Sequence, residues 1–157
     1  MKQLISALIM LTASFTAIAN DDKKPLTSGF NHVGLTVSNL EKSASFFTDT
    51  LQWKLVGGDE KYPAKFVSDG KMFLTLWQTK NPKKTVSFNR KNNVGLHHLA
   101  FTVETLDGLN ALFEKVKNVD GVIVEFAPEL AYGGPTMHMM IREPSGNRLE
   151  FSYRPKK

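Results

Sequence analysis

The sequence predicts an α+β fold in which one βαβββ module occurs twice. The first observation is an internal repeat, because His32 and His98 lie 66 positions apart. Four further identical pairs share that offset: Thr36 and Thr102, Val37 and Val103, Leu40 and Leu106, and Phe47 and Phe113. Self-similarity at a fixed offset indicates one supersecondary unit used twice. The second observation is periodicity: each copy begins with a β-rich alternating stretch and continues with a helical apolar pattern and further strand candidates.

In the first copy, a strand is predicted over residues 30–37 and a helix from Leu40 through about Leu51. Ser38-Asn39 supplies the N-cap, and apolar residues recur at helical spacing to make the buried stripe. Three short strands are predicted at residues 54–56, 64–68 and 72–77. Asp69-Gly70 between the last two is a hairpin signal.

The second copy repeats this order after a lysine-rich connection. Its predicted elements are a strand at 95–103, a helix at 106–116 and strands at 122–126, 136–142 and 148–153. A loop is expected to begin at Ala127-Pro128. The resulting domain runs over 30–153, with module one at 30–78, a linker at 79–93, module two at 94–153, and a basic tail at 154–157.

The first 19 residues have the plan of a secretory signal peptide. Lys2 precedes an apolar run from Leu4 to Ala19, and Ala17-Ile18-Ala19 has the small-x-small pattern of a cleavage site. A membrane anchor is the alternative, but the run is shorter than the roughly 20 residues of a span. We therefore expect an exported protein, periplasmic or secreted, with a flexible lead-in segment at 20–29 and no membrane span.

Composition excludes several classes of protein. With 41% hydrophobic and 22% charged residues, the chain is ordinary for a soluble globular domain. It has no cysteine, so disulfide frameworks and thiolate metal sites are excluded. The net charge of +5 is concentrated in the tails and the linker, without the interleaved aromatics of a nucleic-acid interface. The expected partner is a small molecule, no nucleic-acid partner is expected, and a homodimer is left open.

Strand alternation places the candidate functional residues on one face of the sheet. The helix-facing sets are apolar: Val33, Leu35 and Val37; Leu99, Phe101 and Val103; Leu149, Phe151 and Tyr153; and Leu74 and Leu76. The opposite face then carries His32, His98 and Glu150. Phe73, Thr75 and Trp77 share that face. His97 falls on the helix-facing side and is therefore a weak ligand candidate.

Two imidazoles and one carboxylate on a common face suit a borderline divalent metal. This donor set with open positions is typical of non-haem Fe(II), and it also suits Mn, Zn or Ni. The alternative is that each histidine is only a polar residue at a strand end. The two histidines occupy equivalent positions in the repeat, and Glu150 faces the same side of the sheet. This arrangement favours a metal site over the alternative.

Three motifs make the chain resemble the vicinal oxygen chelate superfamily, which includes glyoxalase I, fosfomycin- and bleomycin-resistance proteins and extradiol dioxygenases. The motifs are Asn31-His32-Val33-Gly34-Leu35, Leu96-His97-His98-Leu99-Ala100-Phe101 and Glu143-Pro144-Ser145-Gly146-Asn147-Arg148-Leu149-Glu150. The resemblance covers residues 30–153. It implies that two βαβββ modules curl into a half-barrel around one divalent metal (Fe, Mn, Ni or Zn), with His32, His98 and Glu150 as ligands.

The chain departs from two branches of this superfamily. Glyoxalase I commonly has a fourth ligand, a glutamate, on the last strand of its first module, where this chain has Thr75. The acid–base histidine and tyrosine of the extradiol enzymes have no secure match near residues 138–142. No general base can be assigned from the sequence, and His138, the one remaining histidine expected on a strand near the site, is the only candidate for a catalytic residue.

Two functions follow from the resemblance. The first is a metal-dependent enzyme, dioxygenase-like or glyoxalase-like, whose cation chelates two substrate oxygens and stabilises developing negative charge. The second is a metal-free protein of the bleomycin-resistance type, which sequesters a ligand in a cleft. In either case the predicted pocket residues are Phe73, Thr75, Trp77 and Tyr132.

Overall fold

The computed structural model describes residues 25–131 and 133–156. The predicted leader at 1–19, residues 20–24 of the lead-in segment and the predicted pocket residue Tyr132 lie outside that range. In the described part of the chain, no helix is both long and apolar enough to cross a bilayer.

Within these described residues, eight strands and two α-helices follow the predicted order. Their bounds are β1 Val33–Val37, α1 Leu40–Ser45, β2 Lys54–Asp59, β3 Ala64–Ser68, β4 Phe73–Gln78, β5 Leu99–Thr102, α2 Leu106–Val116, β6 Ile123–Leu130, β7 Met137–Arg142 and β8 Arg148–Tyr153. The strands make two four-stranded sheets with the orders β1-β4-β3-β2 and β5-β8-β7-β6. In each sheet the first strand pairs in parallel and the others pair antiparallel. The predicted α+β class with βαβββ units is confirmed.

Both helices begin at the side-chain caps that their sequences provide. The Asn39 side-chain oxygen accepts a hydrogen bond of 3.0 Å from the Lys42 N–H, and Thr105 Oγ1 accepts one of 2.9 Å from the Gly108 N–H. Such caps satisfy backbone donors that the first turn leaves unpaired. The first helix was expected to be α-helical to about Leu51. Instead, α1 ends at Ser45 and a wider π turn, residues 46–50, follows, with both Phe46 and Phe47 buried.

The strand boundaries differ most from the prediction in four strands. β1 and β5 begin later than expected, so His32 and His98 immediately precede their strands. β6 continues to Leu130, through the Ala127-Pro128 pair that was expected to open a loop. Proline is tolerated there because β6 is an edge strand and its register breaks between Phe126 and Glu129. β2 likewise extends through Gly57-Gly58, where a Cβ on Gly58 would lie 2.6 Å from the Ala64 carbonyl oxygen.

One hydrophobic core joins the two modules. Leu74 and Leu76 of the first sheet and Leu149 and Phe151 of the second belong to the same buried cluster. The rings of Trp53 and Phe101 lie 5.4 Å apart and connect the two halves directly. Because the helix-facing sides of both sheets are buried together, the opposite side of each sheet remains open to a ligand.

A buried carboxylate in the β7–β8 turn also links the modules. Glu143 is fully buried and accepts a hydrogen bond of 2.6 Å from Ser43 Oγ on α1. The same carboxylate accepts bonds from the Ser145 N–H and from the backbone and side-chain N–H groups of Asn147, at 2.9–3.1 Å. Gly146 completes the turn with φ of 90°, a conformation that favours glycine. The turn therefore holds β7 and β8 in register and docks them on the first module.

Candidate functional site

The face of the second sheet that is turned away from the helices is called its open face. Three rows of side chains cross it. The middle row contains Glu150 on β8, opposite Ala100 on β5 and Met140 on β7. On one side of it Arg148 lies opposite Arg142. On the other side Ser152 pairs with Thr102 and His138. Because directly opposed residues share a face, these rows bring the polar side chains of Arg142, Arg148, Glu150 and His138 to the same side of the sheet.

Glu150 is held between two imidazoles. Its Oε2 lies 2.9 Å from His98 Nε2, and its Oε1 lies 2.6 Å from His138 Nδ1. Side-chain exposure is 34% for His98, 16% for Glu150 and 11% for His138, so the group is largely withdrawn from water. The His138 ring also packs on Phe126, with centroids 4.9 Å apart. Each carboxylate oxygen therefore has its own imidazole partner.

The contacts continue from His98 toward a cluster of arginines. His98 Nδ1 lies 2.8 Å from His97 Nδ1, and His97 Nδ1 lies 3.5 Å from Arg148 Nη1. The pKa of His97 is lowered, first by desolvation and then by the positive charge of Arg148. A neutral His97 can accept a hydrogen bond from the His98 N–H. Its position beside His98 was missed by strand alternation, because both histidines precede β5 and alternation does not extend beyond the strand.

Glu125 is the centre of the arginine cluster. Its carboxylate accepts hydrogen bonds from Arg142 Nε at 2.8 Å and Arg148 Nε at 2.7 Å, and Arg90 Nη1 lies 3.5 Å away. Burial opposes ionisation of Glu125, but the hydrogen bonds from the two arginines prevail and lower its pKa. A lowered folded-state pKa stabilises the fold above the carboxyl's ordinary value of 4.5, and this contribution is lost as the pH falls through the lowered value.

The side chain of His32 lies apart from this network. Its Nδ1 is 2.7 Å from the Asn31 side-chain oxygen, and its ring packs edge-on against Phe73 at 5.9 Å. His32 and His98 line a common cavity of about 440 Å³ between the two modules. No hydrogen bond or ring contact joins His32 to His98 or Glu150 in the part of the chain that the structure describes. Of the three proposed ligands, the structure therefore places only His98 and Glu150 in direct contact.

The open face of the first sheet is aromatic. Phe73 and Trp77 both contact Phe66, with ring centroids 5.8 Å apart in each case, and Tyr62 contacts Trp77 at 5.0 Å. Thr75 is buried beneath them and accepts a hydrogen bond of 2.8 Å from the Trp77 indole N–H. Gly34 pairs with Thr75 as Ala100 pairs with Glu150, so Thr75 and Glu150 occupy corresponding positions in the two sheets.

Known proteins share both the sequence pattern and this architecture. Residues 29–151 match the model of the glyoxalase/bleomycin resistance protein/dioxygenase superfamily. The chain belongs to this superfamily. A glyoxylase/bleomycin resistance protein/dioxygenase domain from Frankia sp. EAN1pec has 25% identity and a TM-score of 0.69, over 83% of this chain and 94% of that one.

Two structures with named activities share the superfamily fold. A fosfomycin resistance protein from Listeria monocytogenes has 15% identity and a TM-score of 0.64, over 83% of this chain and 96% of that one. A lactoylglutathione lyase from Agrobacterium tumefaciens has 18% identity and a TM-score of 0.62, over 82% and 96%. At these identities the likeness shows the fold alone.

Members of the superfamily commonly use a divalent metal, so the donor chemistry of the site matters. Imidazole nitrogens and a carboxylate, as in His98, His138 and Glu150, are suitable ligands for Fe, Mn, Ni and Zn. Within residues 25–131 and 133–156, however, no group of three or more such side chains is arranged to hold a metal ion. These donor atoms are of the types that bind such metals. If a cation were bound, His98 and Glu150 would each contact the cation instead of each other.

Besides the position of His97, sequence reasoning missed Glu125 and Phe126, which lie beside the candidate site. Glu125 lies in a predicted strand but carries no signal of its own, since single glutamates are common on strand surfaces. Regular strand alternation would put Phe126 on the same side as Val124. The register shift between them instead pairs Val124 with buried Ile141 and Phe126 with Met140, which brings the Phe126 ring to the open face.

Proposed function

We propose that the protein is a metal-dependent enzyme that acts on a small, oxygen-rich molecule by bidentate chelation to one divalent cation. Fe, Mn, Ni and Zn are the candidate ions. The observation that carries this proposal is the Glu150 carboxylate between the imidazoles of His98 and His138. A bound cation would act as a Lewis acid that stabilises negative charge developing on the substrate oxygens.

His98 and Glu150 are the ligands on which the proposal rests. His32 is the proposed third ligand, because it borders a cavity with His98 and precedes the equivalent strand of the first module. His138 then holds the second oxygen of Glu150, as an outer partner that orients a ligating carboxylate. His138 also lines the substrate cavity and remains the candidate acid–base group.

The cavity beside these residues suits a small molecule. It has a volume of about 430 Å³ and lies over the middle of the second sheet. Phe126, Leu130 and Met140 supply its apolar wall, and His98, His138 and Glu150 supply its polar wall. Such a combination of apolar lining and a few convergent polar groups is typical of ligand sites.

Metal titration tests the proposal. We expect the purified protein to bind about one equivalent of Zn²⁺ or Mn²⁺. Affinity should fall as the pH falls through the histidine range, because protonated imidazoles cannot ligate. His32→Ala should lower affinity by more than about 100-fold, whereas His138→Ala, as an outer partner, should lower it by about 10- to 100-fold. Calorimetry with each metal measures this order. The reverse order would make His138 the third ligand, and no binding of any of the four metals would reject the enzyme proposal.

The aromatic face of the first sheet supports the second candidate function. The contacting rings of Tyr62, Phe66, Phe73 and Trp77 form a surface on which a planar ligand can stack. A metal-free protein that sequesters an aromatic or cationic compound would use this surface. Metal content separates the two functions, since a sequestering protein binds its ligand equally well in the presence of a chelator.

We also propose that the protein is exported. The proposal depends on residues 1–19, whose sequence has a positive start, an apolar run and a small-x-small cleavage pattern. The mature chain is then expected to begin at or near Asn20. N-terminal sequencing of protein from the natural host checks this, and an intact Met1 on cytoplasmic protein would contradict it.

A further inference from the structure

We propose that the substrate carries a carboxylate and that Arg148 binds this carboxylate next to the two substrate oxygens that the cation would chelate. This inference rests on the proposed function and names the substrate class of the same site. Arg148 lines the cavity that His98, His138 and Glu150 also line. No other arginine or lysine lines this cavity in the part of the chain described above.

The position of Arg148 on β8 gives an approximate spacing between the two parts of the substrate. Arg148 and Glu150 lie two residues apart on β8, and both face the open side of the sheet. Two residues of a strand span about 7 Å. A substrate carboxylate bound by Arg148 would therefore be separated by a few bonds from the substrate oxygens that a cation next to Glu150 chelates.

The Arg148 side chain is held in place before any ligand arrives. It is only 7% exposed, and its Nε donates to Glu125 at 2.7 Å. Its Nη1 lies 3.5 Å from His97 Nδ1. A guanidinium has five N–H donors, so these two contacts leave donors for a carboxylate. Because the side chain is already ordered, binding would cost little conformational entropy.

The surrounding charges favour an anion at this end of the cavity. Arg90, Arg142 and Arg148 surround one carboxylate, that of Glu125, so the cluster has an excess of positive charge. Glu129 lines the opposite end, where it pairs with His138 across the β6–β7 ladder. A carboxylate substrate would thus be oriented with its anionic group toward Arg148 and away from Glu129.

A matched pair of chelating probes tests the inference. The probes are 3,4-dihydroxybenzoate and 3,4-dihydroxybenzamide, which share the chelating oxygens and differ in the negative charge. We expect the Zn²⁺-loaded protein to bind the benzoate about tenfold or more tightly than the amide, because a charge-assisted contact to Arg148 is lost in the amide. Calorimetry measures both affinities.

Three variants test whether the preference for the benzoate comes from the Arg148 side chain. Arg148→Gln should bind both probes equally, and Lys117→Gln, which removes the same charge from the end of α2, should keep the preference of the parent. Arg148→Lys retains the positive charge but lacks the planar guanidinium with its two parallel N–H donors, so it should show a reduced preference for the benzoate. It also provides the test if Arg148→Gln does not fold. A parent without preference, or an Arg148→Gln protein that keeps the full preference, would overturn the inference.

The experiment separates this inference from the proposed function. Zn²⁺ content is measured on every variant and should be the same in the parent and in both Arg148 variants. If the parent takes up no metal, the proposed function fails, and the two probes are then titrated into metal-free protein. A preference for the benzoate that disappears in Arg148→Gln would still support the inference there, and no preference would reject it.

Discussion

His98→Ala is expected to lower the affinity for Zn²⁺ or Mn²⁺ by roughly 100-fold or more while leaving the fold intact. The variant removes the imidazole whose Nε2 lies 2.9 Å from Glu150, and the two remaining proposed ligands, His32 and Glu150, are too few to hold a divalent cation tightly. The side chain is 34% exposed and lies outside the shared core, so packing loses little. Calorimetric titration gives the affinity, and thermal unfolding in the presence of a chelator gives the stability.

The neighbouring histidine provides the matched control. His97 contacts His98 Nδ1 at 2.8 Å but does not touch Glu150, so His97→Ala should lower metal affinity by about 10- to 100-fold, as for an outer partner. If His98→Ala and the parent bind metal with equal affinity, His98 is not a metal ligand and the proposed metal site is rejected. The sequestering function would then be the remaining candidate, with Trp77 fluorescence as its reporter.

Glu143→Ala is expected to reduce the free energy of unfolding by about 3–5 kcal/mol. The substitution removes a fully buried carboxylate that accepts hydrogen bonds from Ser43, Ser145 and Asn147. The Ser43 hydroxyl is buried and the Ser145 and Asn147 N–H groups are half-buried, and a buried donor left without a partner costs about 1–3 kcal/mol. The turn between β7 and β8 also loses its main constraint. Urea unfolding followed by circular dichroism measures the effect.

An exposed glutamate on the same protein is the control for Glu143. Glu104 is 68% exposed and pairs with Lys71 at 3.1 Å, so Glu104→Ala should change stability by less than about 1 kcal/mol. A loss below about 1 kcal/mol for Glu143→Ala would show that the turn does not need its carboxylate. The alignment of Arg142 with Arg148 across the two strands would then have to be set by the strands themselves.

The elements of the fold could be predicted because their signals are local. Alternation identified β3 and β8 with the bounds that the structure shows, and helical spacing identified α2. The errors lie where backbone geometry departs from a regular period. A π turn replaces the end of the first helix, and bulges allow β2 and β6 to continue through residues that usually end a strand.

The candidate site could be predicted only in part. Glu150 was correctly placed on the open side of β8, because the parity of a strand follows directly from its apolar residues. The contact between Glu150 and His138 could not be derived, since it depends on how β7 pairs with β8. The cluster around Glu125 depends in addition on a register shift in β6 that no local pattern indicates.

The sequence by itself determined the α+β class, the order of the elements and the residues that face away from the helices. It did so because side-chain periods of 2 and 3.6 are properties of neighbouring residues. The tertiary structure alone decided that His138 and not His32 touches Glu150, and that Arg148 lies beside them on Glu125. Those contacts join residues that are distant along the chain, and strand pairing and bulges bring them together.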